Sequence, residues 1–73
     1  MEKVSITTPY IKLGQFLKYV NLISSGGEEK VFILTTPIFV NKEKEIRRGR
    51  KLYTGDIIEV SGKTFIIEWL LKI

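Results

Sequence analysis

The chain has 73 residues, twelve Lys and Arg against eight Asp and Glu, no Cys and no His, and a formal charge of +4. Without histidine or cysteine it lacks the usual catalytic base, the commonest metal ligand and a thiol nucleophile, which argues against hydrolase, transferase and zinc-site chemistry and leaves no cofactor or metal to expect. The length fits one small domain with little core to spare, since such a chain buries only about 60% of its unfolded surface.

No apolar run approaches the roughly 18 residues of a membrane span, and no leader pattern opens the chain, so a soluble, cytoplasmic protein is expected. Val4–Ile6 predicts a short edge strand before Pro9, which pushes Thr8 toward extended backbone. Lys12–Leu22 reads as a first helix, with Leu13, Phe16, Leu17 and Val20 on one face. Lys12 stands at its start without an acceptor oxygen, so that end is poorly capped. Lys18 reads as a solvated lysine or as part of a basic face.

Ser25 and Glu28 have the spacing of a capping box, so a second helix is expected from Gly26 to Leu34. Gly26 and Gly27 would leave its first turn as bare backbone, an end whose N–H donors and dipole favour an anion, with Lys30 beside it. The alternative is a flexible Ser-Gly link before an ordinary core helix. Val31, Ile33 and Leu34 are its candidates for burial, although four apolar residues in a row cannot all face one side.

Ile38–Val40 reads as a strand with Ile38 and Val40 on one face, followed by a turn at Asn41–Lys42. Thr54–Gly55–Asp56 is a second turn, with Asp56 as a turn residue. Ile57–Val60 and Lys63–Glu68 form a hairpin across Ser61–Gly62. Trp69–Ile73 is an apolar tail that either covers the sheet end or offers a surface to a partner. The order is α+β, a helical pair on a small, mainly antiparallel sheet.

Half of the basic residues, Lys42, Lys44, Arg47, Arg48, Arg50 and Lys51, fall within ten positions, with Glu43 and Glu45 the only acids among them. Such a run is either a solvated charged loop or a polyanion site. Each arginine offers a planar fork for two phosphate oxygens, and Gly49 permits a sharp bend between them. Lys44 has local partners in Glu43 and Glu45. Tyr53 either stacks on a base or packs with its hydroxyl at the sheet edge, the latter preferred; Tyr10 and Tyr19 read as structural.

The chain resembles the S4 RNA-binding domain family, in particular its small stand-alone bacterial members. Leu13–Lys18 (LGQFLK), Ser25–Lys30 (SGGEEK), Val40–Asn41 (VN), Arg47–Tyr53 (RRGRKLY) and Gly55–Val60 (GDIIEV) carry the likeness in order and spacing over about residues 11–60, within one domain taken as 1–73. The resemblance implies two helices in an L-shaped motif on a small sheet, and binding of structured RNA, ribosomal or transfer RNA, with the ribosome as a further partner and no chemistry. It implies contacts from Ser25, Gly26, Gly27 and Lys30 at the second helix, and from Arg47, Arg48, Arg50 and Lys51 in the loop. The sequence departs from the family where Gly26 replaces an arginine, Pro37 a glycine, Lys42 a glycine and Lys12 a capping threonine. Duplex DNA is a variant of this reading. A protein-interaction module docking through the apolar tail or a sheet edge is the alternative.

Overall fold

The computed structural model describes residues 1–70. Seven strands and two helices follow in the order β1 (Glu2–Ile6), β2 (Tyr10–Lys12), α1 (Leu13–Tyr19), a 3-10 turn (Gly26–Glu28), α2 (Glu29–Thr35), β3 (Ile38–Val40), β4 (Glu43–Lys44), β5 (Lys51–Tyr53), β6 (Ile57–Val60) and β7 (Lys63–Trp69). The architecture is α+β. One sheet has the order β1-β7-β6-β3-β4, and β2 pairs with β5 in a separate ribbon. All pairings are antiparallel except β1 with β7, which run parallel from Glu2↔Phe65 to Ile6↔Trp69.

Period-2 patterning places Ile38, Val40, Ile58, Val60, Phe65 and Ile67 on the covered face of the sheet, all buried. Leu13, Phe16 and Leu17 of α1 pack against them, with Phe16 meeting Phe65 edge-to-face at 5.3 Å between ring centroids. The expected helical face is therefore the core face, but α1 is shorter than Lys12–Leu22. It stops at Tyr19 because Asn21 turns left-handed at φ 63°. The N–H of Leu22 then donates to the Leu17 carbonyl and that of Asn21 to the Lys18 carbonyl, a Schellman pair that satisfies the last turn.

At its other end α1 solves the missing cap with backbone from elsewhere. The N–H of Leu13 donates to the Arg50 carbonyl at 2.8 Å and that of Gly14 to the Arg48 carbonyl at 2.9 Å.

Both hairpin turns have two left-handed residues, Asn41–Lys42 and Ser61–Gly62, as type I′ geometry requires. The glycine missing from the first turn leaves Lys42 at φ 74°. Asn41 clamps this corner to the next one. Its Nδ2 donates to Asp56 Oδ1 at 3.0 Å, its Oδ1 accepts the Ile57 N–H, and Asp56 Oδ2 accepts the Tyr53 N–H. Gly55, at φ 93°, supplies the left-handed third position of the turn closed by Asp56 N–H on the Tyr53 carbonyl.

Two further points differ from the sequence reading. The second helix is a 3-10 turn followed by α2, and it buries only Ile33 fully; Val31 and Leu34 are more than 60% exposed. The ribbon β2–β5 is absent from the sequence reading. Trp69 packs against the core while Leu70 is exposed, and the rest of the apolar tail lies outside the described residues. The sheet edges are poor templates for another strand: β4 has two residues, and β1 presents exposed Glu2 and Lys3. Among the described residues no helix is long and apolar enough to cross a membrane.

Candidate nucleic-acid interface

The basic run is built around one buried acid. Glu45 is 5% exposed and is the sole buried charged residue among those described. Its carboxylate takes five hydrogen bonds: from the Ile46 and Arg47 N–H groups, from Arg47 Nε and Nη2, and from Arg50 Nη1 at 2.7 Å. The Arg47 side-chain hydrogen bond is the largest cause that holds the carboxyl down, to about 2. Burial opposes it and is outweighed with the help of Arg50 and the Arg47 backbone. The loop is thus an anchored structure and not a self-repelling charge run. Local pairing of Lys44 with Glu45, left open in the sequence, does not occur; Glu45 belongs to the arginines.

This divides the four loop cations. Arg50 is three-quarters covered and turned inward. Arg47 is tied by one edge, yet 72% of its side chain is exposed and its Nη1 has no partner among the described residues. Arg48 is exposed, with no ion pair among the described residues. It lines a groove with Lys30, Ile33, Leu34 and Ile46, so the structure brings one cation from the helix and one from the loop together. Lys51 lies on β5, over the ring of Tyr10 at 4.9 Å. Gly49 needs no special conformation: its φ is not left-handed, and a Cβ would meet nothing within 4 Å. The bend at this point comes instead from the Arg50 N–H on the Arg47 carbonyl.

Ser25, Gly26 and Gly27 are exposed, and no hydrogen bond or ion pair joins them to the basic loop among the described residues. Ser25 makes no side-chain cap. Glu28 instead accepts from the N–H and hydroxyl of Ser24, which lowers its pKa, so the expected Ser25–Glu28 capping box does not form. Glu28 and Glu29 put carboxylates at the start of α2. Glu29 pairs with Lys18 at 3.3 Å across the helices, and its carboxylate lies over Gly14, where a Cβ would stand 2.7 Å from Glu29 Cδ. Lys18 is therefore a helix tie and not a solvated lysine. Tyr53 and Tyr10, read as structural, face outward at 47% and 36% exposure.

Sequence reasoning missed Glu45. The one available signal was an acid two residues before Arg47 and five before Arg50.

The S4 domain family profile matches residues 4–68. The chain is also 51% identical over 59 residues, 81% of this chain and 83% of the relative, to "Probable ribosome maturation protein RlbA" of Bacillus subtilis (strain 168).

Proposed function

Because the chain belongs to the S4 domain family, we propose that it is a non-catalytic module binding structured RNA, ribosomal or transfer RNA, in the cytoplasmic setting of the ribosome. The printed name of its relative, a ribosome maturation protein, supports a ribosomal partner. Residues 1–73 act as one unit in this reading, and α1 with α2, tied by Lys18 and Glu29, form its L-shaped pair.

The observation that carries the reading is the anchored loop: Glu45 fixes the backbone from below while Arg48 points outward beside Lys30. A pre-set pair of cations binds phosphates without first paying to order a loop. In the proposed site Lys30, Arg48, Lys51 and the free edge of Arg47 meet phosphates. Arg50 positions the loop. Ser25, Gly26 and Gly27 offer backbone and hydroxyl donors to 2′-hydroxyls or phosphates.

Crosslinking in cells followed by sequencing tests it. Enrichment at one ribosomal or transfer RNA site, lost in a Lys30→Ala/Arg48→Ala variant, is expected. RNA recovery at background, or recovery unaffected by the substitutions, contradicts it; preferential recovery of duplex DNA would move the module to that polymer.

A further inference from the structure

The ribbon β2–β5 has two unlike faces. Ile11 and Leu52 pair across it and turn inward, Leu52 fully buried and Ile11 partly so. The alternate positions are Tyr10 and Lys12 on one strand, and Tyr53 and Lys51 on the other. The register sets Tyr10 opposite Tyr53 and Lys12 opposite Lys51, which puts all four on the outward face. The two rings are 5.9 Å apart between centroids and inclined at 47°, with Lys51 Nζ over the Tyr10 ring.

Tyr53 keeps 47% and Tyr10 36% of its surface exposed, and neither belongs to the hydrophobic core or to the side chains packed against it, so core packing alone does not explain them. No ion pair ties Lys12 or Lys51 to a carboxylate among the described residues. The nearby carboxylate of Asp56 is occupied by the Tyr53 N–H and by Asn41. Lys51 directly follows Arg50, and the Leu13 N–H bonds the Arg50 carbonyl, so this face is continuous with the basic loop.

We propose that the outward face of the ribbon, Tyr10 and Tyr53 flanked by Lys12 and Lys51, is a stacking platform for an unpaired nucleotide of a bound RNA strand. The inference rests on the RNA-binding reading and adds a second contact to it. Aromatic rings accept the π-face of any base, while the lysines meet the phosphates on either side. Base-paired RNA has no free face to offer, so the platform selects a bulge, loop or single-stranded flank beside the structured element.

The test is NMR on the full chain, titrated separately with a short oligoadenylate, an abasic oligomer of equal length and a blunt RNA duplex. Oligoadenylate is expected to shift the Tyr10 and Tyr53 ring resonances upfield and to move the amides of residues 10–12 and 51–53. The abasic oligomer leaves the rings unmoved. A Tyr10→Leu/Tyr53→Leu variant, whose spectrum first confirms folding, should bind oligoadenylate at least about fivefold more weakly. Unmoved rings, or equal affinity of the folded variant, overturn the platform. If the duplex still binds the wild type at the Lys30–Arg48 groove, the RNA-binding reading stands while the platform falls; if neither RNA binds, both fall.

Discussion

Glu45 Oε1 lies 2.7 Å from Arg50 Nη1, so the one buried charge among the described residues holds the interior of the basic loop. That contact sets which arginines face outward. It also supports the N-terminus of α1, because the carbonyls of Arg48 and Arg50 accept the first N–H groups of that helix.

Replacing Glu45 by Gln keeps the shape and removes the charge, leaving two guanidiniums without a counter-ion. The cost at neutral pH should be on the order of 1–3 kcal/mol, the lower end reflecting the exposure of Arg47. The pH dependence has a fixed sign. The folded pKa, about 2, is below the ordinary 4.5, so the stabilisation is complete above about 4.5 and is lost as pH falls toward 2. Urea unfolding of wild type and Glu45→Gln should give a gap that narrows over that window. A gap independent of pH would assign the effect to shape alone.

Lys42 sits at φ 74°, where a type I′ turn prefers glycine. Lys42→Gly should stabilise the fold by about 0.5–1 kcal/mol. The lost pair with Glu59, 3.8 Å apart on the surface, is too weak to reverse this. A lower urea midpoint in the variant would contradict the strain argument.

Gly14 leaves room for the Glu29 carboxylate. Gly14→Ala should displace the flexible end of that side chain and loosen its pair with Lys18, a loss that alanine's better helix propensity, roughly 1 kcal/mol, largely offsets, so the net change should stay within about 1 kcal/mol. In a Glu29→Ala background the same change should be more favourable. The double-mutant cycle measures the coupling, and additive effects would place the clash elsewhere.

Much of the fold was legible in local patterns. The α1 face Leu13–Phe16–Leu17, the strands Ile38–Val40 and Ile57–Val60, and the turn at Ser61–Gly62 are set by residues close in sequence. The ribbon β2–β5 was not, since three residues carry too little periodicity and its partner lies some forty positions away. The parallel β1–β7 pairing is equally non-local. The candidate site was legible as a basic segment but not in its division of labour. An acid among lysines and arginines looks solvated until the hairpin at Asn41–Lys42 folds it beneath them. Val31 and Leu34 misled in the opposite sense: apolar type suggested burial, whereas α2 turns only Ile33 fully inward.

The most direct measurement is the salt dependence of binding to a structured RNA recovered by crosslinking, for the wild type and for Lys30→Ala/Arg48→Ala. About three to four phosphate contacts give a log–log slope near −3 for the wild type, and removing two of those cations should flatten it by about 2. A slope unchanged in the double variant would contradict the account and take Lys30 and Arg48 out of the interface.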